Sequence, residues 1–588
     1  MSDMILFWDI GLIIVVATFL AYLAQILRQP LILAYIIAGI LIGPTGFGLI
    51  TNRDVILTLS EFGIAFFLFI IGLELDIKKL KNYGFIIFIT GIGQVVFTFF
   101  IGFIIIKFFG FADLEAIYLA LALTFSSTMI VVKLLSDKNE LDTLHGRIIL
   151  GILLIQDVAA IVLLALMPNI LNLSLSSGYI LSLSLVKGLG LFSIAIVMSI
   201  FVLPYFLDFA SKSQELLFLF AISWCFIFST MSYYIGYSVA IGAFLAGISL
   251  ASFPYNVEIV GRVRSLRDFF ATIFFVSLGM MFVMGDVSSV IAPIIILSLF
   301  VLIGNPFIVI LLTSFFGYGK RTSFLTSIAI AQVSEFSLIL VVLGLKLGHI
   351  SQQIVTMTTV IAIITITITT YLIKYDEKIY RMLSRYLNIF ERTTYKKEEL
   401  IEIPHSHKKH VVVAGCHRMG FSIIKTLQEL KKDFLVVEFD PDIIKVLKKD
   451  KIHCIYGDLG DLEILDRIDL KDAEIVISTI PRMDDNILLI EKTREINPGA
   501  MIFVTADTVD QALQLYNIGA DYVFLPRILS GEKASELVEK YVKNTDEIKY
   551  IKRQHIVELE KIKKDELFER YWPDFLRSLE KKFHIYRK

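Results

Sequence analysis

Along the first 373 residues the apolar positions neither alternate nor recur on one face. They run together in blocks of roughly 17 to 30 residues, each long enough as a helix to cross a ~30 Å hydrocarbon layer. The pattern predicts thirteen spans, at about 4–27, 31–48, 56–74, 83–109, 114–135, 145–170, 178–207, 214–235, 237–253, 266–284, 290–316, 321–348 and 350–373. From Lys374 the pattern changes: residues up to His407 are charged and helical in period, then become a polar linker. From His410 short apolar runs alternate with helical stretches, the first helix from about Met419 to Leu430. VVVAG, FLVVEFD, CIYGDL, EIVISTI, MIFVTA and YVFLP read as strands, and this alternation predicts a doubly wound, Rossmann-like α/β sheet. The last forty or so residues form a charged helical tail with Trp572, read as a packing or subunit contact. The chain therefore divides into a membrane domain at 1–373, a linker at 374–409, a sheet domain at 410–542 and a tail at 543–588.

Composition sharpens this division. Of 588 residues 56% are hydrophobic, while the formal net charge is only −1. That excludes an ordinary soluble protein and removes bulk charge as evidence for nucleic acid. Cys225, Cys416 and Cys454 are too few and scattered for a disulfide framework or a CxxC metal site, and two of them in the C-terminal half fit a reducing compartment. The first apolar run starts at Met4 without a basic flank or a small-residue cleavage site, so it reads as a retained helix. Thirteen is odd, so the termini lie on opposite sides. Loops on the C-terminal side carry Arg28, Lys78, Lys79, Lys81, Lys138, Lys212, Arg262, Arg264, Lys320 and Arg321, whereas the opposite loops carry little beyond Arg53. The positive-inside rule then puts the N-terminus outside the cell membrane and the C-terminal half in the cytoplasm. Lys187, inside the seventh run, has no role in this scheme.

Three runs hold polar residues that a plain anchor would not. The sixth carries Gln156 and Asp157 at its middle, the fifth reads TFSST from Thr124 to Thr128, and the twelfth reads AQVSEF from Ala331 to Phe336. A carboxylate at the bilayer centre costs about 2.5 to 3.5 kcal/mol on insertion scales, so Asp157 and Glu335 both need an explanation. In the topology above the fifth run points inward and the twelfth outward. Inverted repeats in transporters bring such oppositely directed, locally unwound helices together at the midplane, where free carbonyls and half-helix ends hold ions. A desolvated carboxyl group favours its proton, and a cation on the same oxygens favours the charge. The two exclude one another, which suffices for an antiporter if only the occupied site crosses. Gln156 does not titrate, so the pair carries one exchangeable charge, and exchange of one cation for one proton is expected.

These residues also carry a resemblance. GILLIQDVAAI around Asp157, SSTMIVVKLL after Phe125, FLFIIGLELD at Phe67 to Asp76, LRDFFATIFFVSLGM at Leu266 to Met280 and QVSEFSL at Gln332 to Leu338 together resemble the Kef-type branch of the monovalent cation:proton antiporters. The resemblance implies a homodimer with a fixed dimerisation domain and a core domain that moves like an elevator. It implies that Asp157 carries ion and proton, that Gln156 is its neighbour, and that Thr124, Ser126, Ser127 and Thr128 lie in the crossover that coordinates the ion. Relatives often have a lysine in the eleventh span; here Asn305-Pro306 stands there, so no buried ammonium pairs with the site. Glutathione-gated members carry an acidic loop before LRDFF; here Pro254 to Ser265 reads PYNVEIVGRVRS, which argues against glutathione regulation.

The remaining charges have plainer readings. Glu335 is expected to be structural, paired with Arg267 or holding the crossover, and Glu61 and Glu74 to be solvated or structural. Gly317-Tyr318-Gly319 lacks the Thr-Val of a potassium filter and sits beside Lys320 and Arg321, so it reads as a turn. His405, His407 and His410 lack metal-ligand spacing and read as linker.

In the C-terminal half the first strand ends in Gly415-Cys416-His417-Arg418-Met419-Gly420, a GxGxxG turn without its middle glycine. Glu438 and Asp440 close the second strand at a spacing suited to a ribose, and Asp458 follows in YGD. The ordered set resembles the KTN/RCK regulatory nucleotide-binding domain of potassium channels and transporters. That resemblance implies Gly415, His417, Arg418 and Gly420 at the phosphate, Glu438 or Asp440 at the ribose and Asp458 at the base. The nucleotide is a mononucleotide such as AMP or an NAD(H)-type dinucleotide, with an empty structural domain as the third reading. The expected function is exchange of a monovalent cation, potassium favoured by the resemblance and sodium next, for protons, gated by this domain. A regulated cation channel and a membrane-bound NAD-dependent oxidoreductase are the rivals, and the latter lacks a catalytic acid-base set.

Overall fold

The computed structural model describes residues 2–50, 53–74, 85–138, 140–141, 143–167, 178–211, 213–251, 253, 256–391, 409–416, 418–439, 441–457, 459–460, 462–543, 551–553 and 555–557. The chain forms two compact units, Met1–Thr394 and Tyr395–Lys588. Lys78, Lys79, Lys81, Lys212, Pro254, His405, His407 and Trp572 lie outside the described residues.

The first unit is all helix. It begins with α1 (Ser2–Ile26), α2 (Leu31–Ile42), α3 (Arg53–Glu74), α4 (Phe85–Phe108), α5 (Asp113–Thr124), α6 (Thr128–Asp137) and α7 (Leu144–Leu166). Next come α8 (Gly178–Val197) and α9 (Leu203–Ala210), then α10 (Gln214–Ile235), α11 (Val239–Ala251) and α12 (Asn256–Met280). It closes with α13 (Met284–Leu299), α14 (Asn305–Phe315), α15 (Lys320–Ala329), α16 (Glu335–Lys346), α17 (Gln352–Lys374) and α18 (Asp376–Glu391). Each of the thirteen expected runs contains helix, and eight stretches among the described residues are long and apolar enough to cross a membrane.

Packing sorts the helices into two groups. In one, α3 lies against α11 and α12, and α2 against α1 and α12. A Cβ on Gly39 would come within 1.9 Å of the Val276 carbonyl oxygen, so α2 and α12 cross backbone to backbone, as small residues permit between membrane helices. In the other group, α4 packs on α5 and α7, α14 on α15, and α13 on α17. Its elements repeat: a long helix, a broken helix and a long helix occur as α4, α5/α6 and α7, and again as α13/α14, α15/α16 and α17.

The breaks have local causes. Phe125 is extended, and Ser127 caps α6 by accepting the Ile130 N–H. Ser334 caps α16 by accepting the Phe336 N–H. Serine at these points offers the backbone a partner other than the helix ladder. Single π turns at Met198–Val202 and Phe300–Gly304 precede Pro204 and Pro306, whose rings supply no N–H to the preceding turn. Gly317 has φ of +91° in the turn between α14 and α15, where GYG was expected to be a turn.

Helix α18 lies beyond the hydropathy boundary at 373 yet belongs to the first unit. Its Tyr380 and Leu387 are buried, with the Tyr380 ring 5.8 Å from that of Phe324 on α15.

The second unit is a six-stranded parallel sheet in the order β3-β2-β1-β4-β5-β6. Its elements are β1 (His410–Ala414), α19 (Arg418–Glu429), β2 (Phe434–Glu438), α20 (Pro441–Lys449), β3 (Cys454–Tyr456), α21 (Leu462–Arg467) and β4 (Ala473–Ser478). They continue with α22 (Met483–Ile496), β5 (Met501–Thr505), α23 (Val509–Ile518), β6 (Tyr522–Phe524) and α24 (Pro526–Lys543). All six expected strands are present. The strand order reverses between β1 and β4, where doubly wound folds form their ligand crevice.

Candidate functional site

The two broken helices meet at their breaks. Ser126 Oγ donates to the Ile330 carbonyl at 2.8 Å, and Ser127 Oγ donates to Glu335 Oε1 at 2.5 Å. Gln332 Nε2 donates to the Ser127 carbonyl at 3.4 Å, while its Oε1 is buried without a partner among the described residues. Backbone groups freed at the ends of α5 and α15 are thereby held in a buried crossing, as low-dielectric surroundings require.

A set of buried amides fixes the crossing from outside. Gln156 Oε1 accepts the Ser126 N–H at 2.9 Å, and Gln156 Nε2 donates to Gln94 Oε1 at 2.6 Å. Gln94 Nε2 donates to the Thr124 carbonyl at 3.0 Å and to Asn305 Oδ1 at 2.9 Å. Asn305 Nδ2 donates to the Ile330 carbonyl at 3.0 Å, and Thr98 Oγ1 donates to Asn305 Oδ1 at 3.0 Å. Sequence reasoning missed Gln94 and Thr98 and noted Asn305 only for the lysine it replaces. The available signal was one amide and one hydroxyl, a turn apart, inside the apolar run GIGQVVFTFF.

Asp157 follows Gln156 on α7 and is 9% exposed. Thr128 Oγ1, in the first turn of α6, lies 3.1 and 3.0 Å from its two oxygens. Among the described residues the carboxylate has no other hydrogen-bond partner and no paired cation. Four lone-pair sites thus meet one hydroxyl, and a helix N-terminus adds partial positive charge nearby. Such a group can take a proton or a monovalent cation, each in place of the other.

The predicted residues do not all behave alike. Ser126, Ser127 and Thr128 reach the crossing or Asp157 with their side chains. Thr124 contributes its carbonyl instead, because its hydroxyl turns back to Leu121 O at 2.7 Å. Glu335 does not pair with Arg267; it accepts from Ser127 and from Ser334 Oγ at 3.4 Å, and Arg267 Nε lies 3.0 Å from Asp268. Of the two places expected for Glu335, Arg267 and the crossover, its contacts are with the hydroxyl groups of the crossover. Glu61 pairs with Lys346, and Lys187 is exposed.

In the second unit Gly415 has φ of +87°, and a Cβ on Gly420 would lie 2.0 Å from the Gly415 carbonyl oxygen. Only glycine lets α19 start this close to the turn. Glu438 accepts the Cys416 N–H at 2.6 Å and its own following N–H, from Phe439, at 2.9 Å. Its carboxylate therefore sits inside the turn at the end of β2. Asn486 Oδ1, on α22 beside the ends of β4 and β5, is buried without a partner among the described residues. An acid at the end of the second strand fits the ribose of a nucleoside. Burial, then the Glu438 carboxylate and Cys454, push the Cys416 thiol up, so it stays protonated and unreactive. Arg418 opens α19, while His417, Asp440 and Asp458 lie outside the described residues.

Comparison with known proteins gives two domain matches. Residues 13–374 match the family described as sodium/hydrogen exchanger, transmembrane, and residues 411–526 match the TrkA-N domain. K(+) efflux antiporter 6 of Arabidopsis thaliana is 30% identical over 350 residues, 58% of this chain and 58% of that protein. The chain thus spans under two thirds of that relative's length. Glutathione-regulated potassium-efflux system protein KefC of Escherichia coli K12 is 27% identical over 83% of this chain and 78% of that one. The solved sodium proton antiporter MjNhaP1 of Methanocaldococcus jannaschii covers 66% of this chain and 99% of its own, at 16% identity and a TM-score of 0.48.

Proposed function

Because the chain belongs to the sodium/hydrogen exchanger transmembrane family, we propose that it exchanges a monovalent cation, potassium before sodium, for protons at Asp157. One observation carries the reading: Asp157 is a buried carboxylate, beside two broken helices, whose only hydrogen-bond partner among the described residues is Thr128. An unpaired charge there is costly and has to be met by a bound guest. The names of the potassium-efflux relatives favour potassium.

The mechanism follows from occupancy. A cation on Asp157 is met by its carboxylate oxygens and by the hydroxyl oxygen of Thr128, which lies against both of them. A proton satisfies the same carboxylate alone. With Asn305 in the eleventh run there is no second exchanging charge, so one cation moves for one proton. The group built on α4 to α7 and α13 to α17 moves against the other group in a homodimer, the N-terminus outside and the second unit in the cytoplasm of the cell (inner) membrane. The second unit gates this movement on binding a nucleotide of the AMP or NAD(H) type. Gly415 and Gly420 allow close approach of its phosphate, and Glu438 meets the ribose. The stretch 254–265 carries a single acid, Glu258, and two arginines, so glutathione gating is not part of the proposal.

Dissipation of a pH gradient in proteoliposomes, with potassium, sodium and lithium in turn, tests the reading. The wild type is expected to respond most to potassium, and Asp157→Asn to match protein-free vesicles with every ion. Exchange surviving in Asp157→Asn would overturn it in favour of a regulated channel, and current driven by the cation gradient alone would overturn the one-for-one ratio. Turnover of NADH by the purified protein would instead support an oxidoreductase.

A further inference from the structure

Helix α18 sorts its charges in an unusual way. Its two leading acids turn inward: Asp376 accepts from Lys138 Nζ at 2.7 Å, and Glu377 lies 2.5 Å from Arg321 Nη2. Its bases Lys378, Arg381 and Arg385 are exposed. Beside them Met382, Tyr386 and Ile389, at spacings of four and three residues, form an exposed apolar stripe, each more than 70% exposed. A stripe of that kind in water would be unusual.

The depth of the helix decides what covers it. At its far end the Phe390 ring lies 5.9 Å from the ring of Phe307. Phe307 is half exposed on the apolar stretch Val290–Phe315, two residues past Asn305 of the buried amide set. Helix α18 therefore runs from the end of α17 along the flank of a membrane-spanning segment, at the level of that segment's lipid-facing side chains. We infer that α18 lies in the membrane–water interface and docks on an anionic lipid surface. Met382, Tyr386 and Ile389 enter the acyl boundary, and Lys378, Arg381 and Arg385 meet phosphate headgroups. With those acids paired underneath, these bases are the outward charge among the helix's described side chains.

The full-length protein tests this with a bimane probe on Met382→Cys, since Cys225, Cys416 and Cys454 are all buried and wild type serves as the unlabelled control. In vesicles of equimolar phosphatidylcholine and phosphatidylglycerol, the probe is expected to emit in the blue and to be quenched by brominated acyl chains. Bromine on phosphatidylglycerol should quench at least about twofold more than bromine on phosphatidylcholine. Added salt, and the combined Lys378→Gln, Arg381→Gln and Arg385→Gln variant, should abolish that preference while quenching remains. Red emission without quenching would overturn the inference. So would blue emission without quenching, which would mean that protein, either the second unit or a second copy, covers the face. Equal quenching by both lipids would overturn the anionic part.

Discussion

The two broken helices are built to one plan and end in different chemistry. In each, an amide from the preceding long helix caps the carbonyl freed at the break: Gln94 takes Thr124 O, and Asn305 takes Ile330 O. In each, a side chain of the following long helix accepts an N–H of the break: Gln156 takes Ser126 N, and Thr365 Oγ1 takes Val333 N at 3.3 Å. Beyond that the plans part. The first repeat has Asp157 directly after Gln156, with one hydroxyl for two oxygens, whereas the residue directly after Thr365 is Ile366, and Thr369, four residues past Thr365, spends its hydroxyl on Ala331 O at 2.6 Å. The second repeat's own acid, Glu335, is tied to Ser127 across the crossing. Backbone groups at both breaks are met by neighbouring side chains, whereas Asp157 has one hydroxyl for two oxygens, and this separates the part that holds the fold from the part that awaits a guest.

The largest test of that separation sets the two acids against each other. Asp157→Asn should remove exchange altogether. Glu335→Gln keeps an acceptor for Ser127, so exchange should persist within about tenfold, with a stability loss of roughly 1.5 to 3 kcal/mol for the weakened charged hydrogen bond. Thermal melting in detergent and transport in liposomes measure the two quantities separately. Equal loss of transport from both, in folded protein, would erase the distinction.

The outer ends of the two broken helices are also held in parallel, by neighbouring acids of α18. Lys138, just past α6, meets Asp376, and Arg321, in the first turn of α15, meets Glu377. Burial pushes the Asp376 carboxyl up to about 6, although Lys138 pulls it down and Glu140 adds to the rise. The folded state then binds a proton more tightly than the unfolded chain, whose aspartate titrates near 3.8. Stability must fall as pH rises from about 4 to about 6 and stay level above, by roughly 3 kcal/mol for a shift of about two units. Hydrogen exchange of 376–391 against pH should show this slope, and Asp376→Asn should flatten it. A slope unchanged in the variant would move the effect to another group.

What could be read from the sequence follows from how local each signal is. Apolar runs set by helix length, serine-rich interruptions, and strand runs from Val411 to Phe524 are properties of neighbouring residues, and the structure has a helix, a break or a strand there in turn. Contacts between distant residues leave no such trace. Gln94 and Asn305 are 211 positions apart, and nothing near either in the sequence names the other as its partner. For Glu335 the sequence left two places open, beside Arg267 as a countercharge or at the crossover, and did not choose between them. Hydroxyls and a backbone N–H can do the same work, and which of them arrives depends on the crossing. Helix α18 reads as linker because its exposed bases dominate the count, while Tyr380 and Leu387 on its other side fasten it to the first unit.

The finest division of the frame lies between its two amides. Thr124 O has Gln94 as its side-chain donor, whereas Ile330 O accepts from both Asn305 and Ser126. Gln94→Leu therefore strands a buried carbonyl and the Oε1-facing amide of Gln156 together. Asn305→Leu leaves Ile330 O one donor, and costs chiefly the acceptor that Gln94 and Thr98 share. Each unsatisfied buried group costs about 1 to 3 kcal/mol, so both variants should melt earlier, Gln94→Leu by more. Cation affinity should follow the same order, because Gln156 sits next to Asp157 and loses its anchor only in Gln94→Leu. If Asn305→Leu instead weakened cation response most while melting least, Asn305 would belong to the ion site and not to the frame around it.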